Sequence, residues 1–448
     1  MNRSSPLRLW KYVGAALGAA LALLAAAAAF NAAIDPFAMY RLTEIHGINE
    51  YKPALFKRVR LLKAFEVRRL KPSAIILGTS RSHVALRPTH PAWADLNGKV
   101  YNLAFDGATT REMYAYLLHA QAAHPLKQVV LGLDAYHPTG APAATRPDFD
   151  PLLLNAPEVS RWMRWITADL RLLTSRDTLL ASILTLRSQA NPEPLWLAPD
   201  GQRLGDVFFH NAGEDFMTIG PRGYFEEIDR VEIEGKLQWR KILPAKQDEP
   251  SQAPSGAPPW PNETSLGYIG RIVEFCRAQR IDLRIFITPA HAHQLEITAA
   301  ADGWAFIEGA KRALVRLLAE DAVRHPGEAP VPLWDFSGYS AITTEPLPDP
   351  GSRTEVKYYR DSSHFKEIVG DHLLDRIFER STPDRTVPDD FGVRLTPDNI
   401  ESALAHDRAA QARYRAAHPG DIDRIKRLLA EAPGGDNKSE NAAARSAF

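Results

Sequence analysis

The stretch Ala74-Ile75-Ile76-Leu77-Gly78-Thr79-Ser80-Arg81-Ser82, at positions 74–82, decides the fold. Four apolar residues are followed at once by glycine and by small polar residues. Short apolar runs with this ending are typical of strands buried in a parallel sheet, where the chain leaves the strand and enters a helix. The pattern predicts a strand, a turn and a helix, with Ser80 at the turn.

The same pattern recurs along the chain and alternates with helical periodicity. Further strands are predicted at 100–105, 128–133, 283–288 and 331–336. Helices are predicted at 111–123, 265–279, 305–323 and 365–378. This alternation indicates an α/β fold with a parallel sheet of about five strands, covered by helices as a three-layer α/β/α arrangement. In such sheets ligands bind at the carboxyl ends of the strands.

The N-terminus carries a membrane-insertion signal. Residues 12–34 contain no charged side chain and are long enough to cross a hydrocarbon core of about 30 Å. Basic residues precede this run and Asp35 follows it, so the positive-inside rule predicts a cytoplasmic N-terminus and a periplasmic main domain. Small residues near its end would also suit a signal peptidase. The run exceeds the usual apolar core of a signal peptide, about 7–15 residues, which favours an uncleaved, single-pass inner-membrane anchor.

The remaining organisation follows from breaks in the α/β alternation. A basic amphipathic helix at 51–70 would lie either near lipid headgroups or as a solvated face of the domain. The interval 136–260 interrupts the alternation with a long helical pattern at 159–187, and is interpreted as an inserted lid or substrate region. The predicted segments are a cytoplasmic N-terminus 1–11, an anchor 12–34, a juxtamembrane helical segment 35–72, an α/β domain 73–135 with 261–380, the insertion 136–260, a C-terminal helical extension 381–432 and a disordered tail 433–448.

Composition excludes several classes of function. Lys plus Arg (54) equals Asp plus Glu (54), so net charge gives no attraction to nucleic acid. Cys276 is the only cysteine, which excludes an internal disulfide and a zinc-cysteine site and favours a buried packing role. The sequence holds no Gly-x-Gly-x-x-Gly or Walker-type loop. We therefore expect neither a nucleic-acid partner nor a cofactor.

Two sequence features could together form a nucleophilic site. A serine at a strand-to-helix turn exposes its hydroxyl and backbone N–H, which suits a nucleophile, although Ser80 could instead cap the helix. Asp361 and His364, three residues apart before an apolar helix, could place a carboxylate beside an imidazole that accepts the serine proton. Asp361 as a simple helix cap is the alternative. The serine follows the first predicted strand and the Asp-x-x-His segment follows the last one. This order on one parallel sheet favours a catalytic role over two unrelated helix caps.

These blocks resemble the SGNH or GDSL hydrolases, particularly their membrane-anchored exported branch, which includes proteins of teichoic-acid D-alanylation and alginate acetylation. Gly78-Thr79-Ser80 resembles the family's Gly-Asp-Ser block, and Asp361-x-x-His364 its Asp-x-x-His block. The segment 102–110 is similar to the block whose glycine, here Gly107, donates to the oxyanion hole. Gly132-Leu133-Asp134-Ala135 stands at the Gly-x-Asn-Asp block. The resemblance spans about 74–378 and leaves 136–260 uncovered.

The resemblance implies acyl-ester chemistry on envelope or exported polysaccharide, by hydrolysis or by transfer. Ser80 would be the nucleophile, His364 the base, Asp361 its orienting group, and Ser80 and Gly107 would bind the oxyanion. Asp134 departs from the family's asparagine, because a carboxylate there would repel the oxyanion unless it is protonated, turned away or replaced by a donor such as Arg81. This favours the alternative of a non-catalytic scaffold that binds glycan or a multi-span membrane acyltransferase, so enzymatic activity stays open.

Arg81, next to Ser80, is a candidate substrate contact, and so are three further polar residues that follow predicted strands. His291 and His293 come after the fourth strand, and Asp335 ends the fifth. Asp335 points towards the pocket in this prediction, and a structural cap is its alternative role. The two histidines could instead bind a metal together with His364 and Asp361, as in a phosphoesterase. Loop histidines are more often solvated, so no metal site is predicted.

Overall fold

The computed structural model divides into two compact units, Met1–Leu70 with Pro147–Leu195, and Lys71–Arg146 with Trp196–Phe448. The structure describes residues 6–96, 99–135, 149–154, 158–190, 196–205, 213–242, 264–380 and 385–432. The interval 136–260 is shared between the two units, while the predicted tail 433–448 lies outside the described residues.

The first unit is helical, whereas strands and helices alternate through the second unit. The helices are α1 (Pro6–Ile34), α2 (Val59–Leu70), α3 (Ser80–Ala85), α4 (Thr110–Ala123), α5 (Pro151–Leu154), α6 (Glu158–Thr174), α7 (Arg176–Ser188), α8 (Gly213–Ile242), α9 (Ser265–Gln279), α10 (Ala292–Ala300), α11 (Trp304–Arg324), α12 (Glu367–Ile377), α13 (Ile400–Ala417) and α14 (Pro419–Glu431). The strands are β1 (Ala74–Leu77), β2 (Val100–Asn102), β3 (Gln128–Leu133), β4 (Asp282–Ile287), β5 (Leu333–Asp335) and β6 (Val393–Leu395).

The sheet of the second unit is mixed and mostly parallel. Its strands are ordered β2-β1-β3-β4-β5-β6, with the first five parallel and β6 antiparallel to β5. The predicted α/β class and its parallel strands are confirmed, but a purely parallel sheet is not. β1 is buried along its whole length, as expected when both faces of a strand are covered.

Strand β2 is shorter than the predicted run 100–105. Its hydrogen bonding to β1 nevertheless continues past Asn102, because the N–H of Leu103 donates to the Ile76 carbonyl at 2.8 Å and that of Phe105 to Gly78 at 3.1 Å. The apolar pattern therefore marks the buried stretch, while the strand geometry ends earlier. This extension carries the chain past the end of β1 towards Gly107.

The first unit contains α1, the helix that is long and apolar enough to span a membrane. The apolar segment is Trp10–Ile34, with mean hydropathy 2.2, and the described residues hold no second such helix. The last part of α1 packs against α6 and α7. There the Asn31 Nδ2 donates to the Leu173 carbonyl at 2.8 Å, and the Ser182 Oγ donates to Asn31 Oδ1 at 2.8 Å.

Two helices of the first unit differ from the sequence prediction. The single helix predicted at 159–187 is two helices, because Ser175 leaves the helical path and caps α7 by accepting from the Thr178 N–H. The helix predicted at 51–70 becomes α-helical only at Val59. Its basic face is not uniformly solvated, since Arg60 and Lys63 are buried.

Candidate functional site

Ser80 lies at the carboxyl end of β1, as the first residue of α3. The N-cap of this helix is Thr79, which is extended, so Ser80 is inside the helix rather than capping it. The Ser80 hydroxyl instead forms a hydrogen bond with His364 Nε2 at 2.8 Å, across 284 residues of sequence. The backbone N–H of Ser80 belongs to the first turn, whose N–H groups have no partner within the helix.

Close packing of α3 on the sheet fixes this position. The Ser82 side chain is fully buried, and a Cβ added at Gly132 of β3 would lie 2.3 Å from its Oγ. Any larger residue at position 132 would push the helix away from the strand. Asn102 holds α3 from the other side, donating from Nδ2 to the carbonyls of Ser82 and Leu86, each at 2.9 Å.

Asp361 and His364 share a tight loop between Tyr359 and Phe365, which pair as an isolated antiparallel bridge. The His364 Nδ1 donates to Asp361 Oδ2 at 2.9 Å. Asp361 Oδ1 accepts the backbone N–H groups of Ser363 and His364, both at 2.7 Å. The helix after this loop begins at Glu367 with Lys366 as its N-cap, so Asp361 orients the imidazole instead of capping that helix.

The Asp361 carboxylate is almost completely buried, with 1% of the residue exposed. Burial acts to raise its pKa, but the charge and hydrogen bond of His364, together with two backbone N–H groups, outweigh burial and lower the pKa. Asp361 is therefore ionised at neutral pH and holds the His364 proton on Nδ1. Nε2 is left as an acceptor for the Ser80 hydroxyl.

Arg81 ties the nucleophile helix to the histidine loop. Its guanidinium donates from Nε to the Ser363 carbonyl at 2.8 Å and from Nη2 to Ser363 Oγ at 3.0 Å. The same Nη2 donates to Gln294 at 2.7 Å, and only 5% of Arg81 is exposed. Arg81 thus acts between Ser80 and His364 as a structural connection, where the sequence suggested a substrate contact.

Asp134 follows β3 and is buried beside Arg81. Its Oδ1 lies 3.1 Å from Arg81 Nη1 and accepts the hydroxyls of Thr288 at 2.9 Å and Thr79 at 3.2 Å. The Asp134 carboxylate therefore has a local role, because it balances the charge of a buried arginine. This arrangement corresponds to one alternative left open by the sequence, in which the carboxylate is engaged elsewhere.

Replacing Asp134 with asparagine tests that interpretation. Asparagine leaves the buried Arg81 without this carboxylate, and breaking a buried ion pair costs about 3–5 kcal/mol. We expect Asp134→Asn to lower the free energy of unfolding by this order, measured by urea denaturation. Unchanged stability together with raised ester turnover would show instead that residue 134 faces the oxyanion.

Gly107 lies in the loop after β2, beside a group of charged side chains. Its φ of 60° is in the left-handed region that favours glycine, and the residue is exposed. The neighbouring Asp106 accepts from His83 Nδ1 at 3.0 Å and pairs with Arg203 Nη1. Burial acts to raise the pKa of Asp106, but Arg203, His83 and His364 outweigh it and lower the pKa.

Sequence reasoning missed Arg203 and Asp106 as neighbours of the site. Arg203 comes from the predicted insertion, where nothing in the residue pattern indicated a contact with α3. A backbone hydrogen bond also joins Arg203 to α3, since the N–H of Arg203 donates to the His83 carbonyl at 3.0 Å. The segment 196–205 thus packs against the loop that carries Gly107.

His291 and His293 are buried and engaged with other groups. The His291 ring forms a 2.8 Å hydrogen bond with the Glu345 carbonyl, and burial followed by His293 lowers its pKa to about 3. His293 lies 3.0 Å from Asp229. Burial opposes its charged form, but Asp229 and Asp421 outweigh burial and raise its pKa. The described residues contain no group of three His, Cys, Asp or Glu side chains arranged to hold a metal ion.

Asp335 is buried at the end of β5 and is used within the fold. Its Oδ2 lies 2.6 Å from Lys311 Nζ, and its Oδ1 accepts the backbone N–H and the hydroxyl of Ser337. Lys311 also pairs with Asp407 of α13 at 2.9 Å. The carboxylate thus holds a C-terminal helix to the sheet, a structural role of the kind that the sequence left open beside a substrate contact.

The arrangement of hydroxyl, imidazole and carboxylate is able to perform nucleophilic catalysis. His364 Nε2 is within hydrogen-bonding distance of the Ser80 proton, and its opposite nitrogen is held by an ionised carboxylate. No protein-family model and no curated protein sequence matches this chain. The interpretation of the site therefore depends on the geometry and chemistry of its own residues.

Proposed function

We propose that this chain is an exported, membrane-anchored serine hydrolase or O-acyltransferase of the SGNH type. The observation that carries the proposal is the 2.8 Å hydrogen bond between Ser80 Oγ and His364 Nε2, with Asp361 on the other ring nitrogen. The order of the five parallel strands, one of the common orders of doubly wound sheets, gives further support. Ser80 stands at the carboxyl edge of that sheet, where such folds bind ligands.

In the proposed reaction, the Ser80 hydroxyl attacks the carbonyl carbon of an acyl ester while His364 Nε2 takes its proton. The resulting oxyanion is stabilised by the backbone N–H groups of Ser80 and Gly107. The tetrahedral intermediate collapses to an acyl-serine as His364 returns the proton to the leaving alkoxide. Water or a sugar hydroxyl then attacks the acyl-serine while His364 takes its proton. The bond from the acyl carbon to Ser80 Oγ breaks and His364 returns the proton to Oγ, giving hydrolysis or transfer. The proposed substrate class is envelope or exported polysaccharide, which supplies the ester or the accepting hydroxyl. The proposed protein partner is a multi-span membrane acyltransferase.

A fluorophosphonate probe tests the catalytic proposal, since it reacts with activated serine hydroxyls. We expect the native chain to become labelled at Ser80, identified by mass spectrometry of the modified peptide, and the urea-unfolded chain to stay unlabelled. A native chain without label would favour the second candidate, a scaffold that binds glycan or a membrane partner. The specific feature behind that candidate is the carboxylate of Asp134 at the position of an amide donor.

We further propose that α1 is retained as the anchor, with its N-terminus cytoplasmic and the second unit periplasmic. The hydrogen bonds of Asn31 to α6 and α7 support retention, because cleavage near Ile34 would remove a side chain that contacts both helices. The exposed Trp10 and Tyr12 would suit a membrane interface.

The anchor and its orientation can be tested together. We expect a periplasm-dependent reporter fused after Phe448 to be active, and the membrane-extracted protein to have the mass of the uncleaved chain. A mature protein that begins near residue 34 would disprove the anchor. Activity of a cytoplasm-dependent reporter at the same position would disprove export.

A further inference from the structure

Helix α6 carries an apolar surface that the first unit leaves open. Trp162, Met163, Ile166 and Leu170 are each about half exposed or more, with 61% of Trp162 accessible. At 100° per residue, implied by 3.6 residues per turn, three of these positions fall on one stripe and Met163 lies beside it. Solitary exposed apolar residues are ordinary, but four on one arc of one helix form a surface.

A second arc of α6, about 120° from the centre of the stripe, is used for packing inside the unit. Trp165 is 3% exposed and Leu172 is 8% exposed. The Trp165 ring meets Phe65 of α2 edge-on at 5.0 Å between centroids, and the Arg68 guanidinium lies over it at 4.1 Å. The orientation of α6 is therefore fixed by these contacts, and the apolar stripe is held outward.

Basic residues lie on the third side of the helix. Arg164 and Arg171 are exposed, on an arc that separates the apolar stripe from the packed one. An amphipathic helix with an apolar stripe and adjacent arginines is the pattern of helices that lie in a membrane interface, with the apolar side among acyl chains and the arginines near anionic headgroups.

The position of α6 relative to α1 indicates what the apolar stripe contacts. Both α6 and α7 pack on the last part of α1, beside Asn31. The segment Trp10–Ile34 has 25 residues, which is longer than the roughly 20 that cross a hydrocarbon core of about 30 Å. Its end therefore emerges at the bilayer surface, and helices bound to that end lie at the same surface. Leu180 and Leu184 of α7 are also exposed.

We propose that the apolar stripe of α6 is a second membrane contact, which lies in the outer interface of the bilayer that α1 crosses. The inference rests on the proposed retention of α1 as an anchor. Two contacts of this kind would fix the rotation and tilt of the first unit about α1, which a single spanning helix leaves free. The partner of the stripe is a lipid surface, and the alternatives are a second copy of this chain or another protein.

The test compares two cysteine variants of the full chain in vesicles of phosphatidylethanolamine and phosphatidylglycerol. Ile166→Cys lies in the centre of the stripe, and Arg164→Cys lies about 160° away around the same helix. Each cysteine is coupled to an environment-sensitive fluorophore. The unsubstituted chain is the labelling control, because Cys276 is buried and burial, followed by Asp282, raises its thiol pKa to about 12.

We expect nitroxide groups on the lipid acyl chains to remove more than half of the emission at position 166, and aqueous iodide to quench mainly position 164. Equal quenching of both positions by iodide would overturn the proposal. Protection of position 166 from both quenchers would also overturn it, because a protein would then cover the stripe. An alkaline carbonate wash distinguishes the two proposals: release of the chain disproves the anchor and with it the stripe, whereas retention without lipid quenching disproves the stripe alone.

Discussion

Replacing Ser80 with alanine is expected to abolish fluorophosphonate labelling and to lower ester turnover by about 10⁶-fold, the loss typical of a missing serine nucleophile. The reason is that His364 Nε2 would have no hydroxyl to deprotonate, and no acyl-enzyme could form. Turnover is measured with a chromogenic acyl ester, and labelling by mass spectrometry. Because Ser80 is only partly buried, the variant should fold as the wild type does.

Ser82→Ala is the matched control for this experiment. Ser82 lies on the same short helix, and its buried hydroxyl has no hydrogen-bond partner among the described residues. Removing an unpaired buried hydroxyl costs little or is stabilising, so labelling at Ser80 should persist. Labelling that survives in Ser80→Ala would show that another residue is the nucleophile. Equal loss in both variants would point to disruption of α3 as the cause.

Asp361→Asn is expected to lower turnover by about 10⁴-fold with little change in KM, because an amide no longer holds the His364 proton on Nδ1 or stabilises the imidazolium. Steady-state kinetics and circular dichroism of the variant separate this effect from unfolding. Asp106→Asn is the matched control, since its carboxylate lies near His364 but contacts His83 and Arg203. An equally large loss of turnover in Asp106→Asn would indicate that Asp106, and not Asp361, orients His364.

The lowered pKa of Asp361 also predicts a dependence of stability on pH. A carboxyl group whose pKa is lower in the folded state than in the unfolded state stabilises the protein above the usual carboxyl range, near pH 3.9 for Asp. This contribution begins to be lost as pH falls through that range, and the loss is complete only below the lower pKa of the folded state. Urea unfolding between pH 7 and pH 3 should therefore show a steeper loss of stability for the wild type than for Asp361→Asn. If the free energy of unfolding fell equally with pH in both proteins, the lowered pKa of Asp361 would be contradicted.

The main strands of the sheet could be predicted from the sequence because a buried strand consists of apolar residues. Strands β1 and β3 and helix α9 have the predicted limits, and each has an apolar pattern bounded by polar or glycine residues. Strand β6 was missed because it is a short edge strand with Val393 and Arg394 exposed. An exposed edge needs no apolar run, so its pairing with β5 leaves no pattern to detect.

What the sequence by itself determined is the α/β class, the apolar N-terminal helix and the candidate residues Ser80, Asp361 and His364. Only the tertiary structure decided which side chains meet. It joins Ser80 to His364 across 284 residues, Asp134 to Arg81, and Arg203 to Asp106. The physical reason is that periodicity records whether a side chain is buried, whereas the partner of a buried charge depends on crossovers that bring distant strand ends to one edge of the sheet.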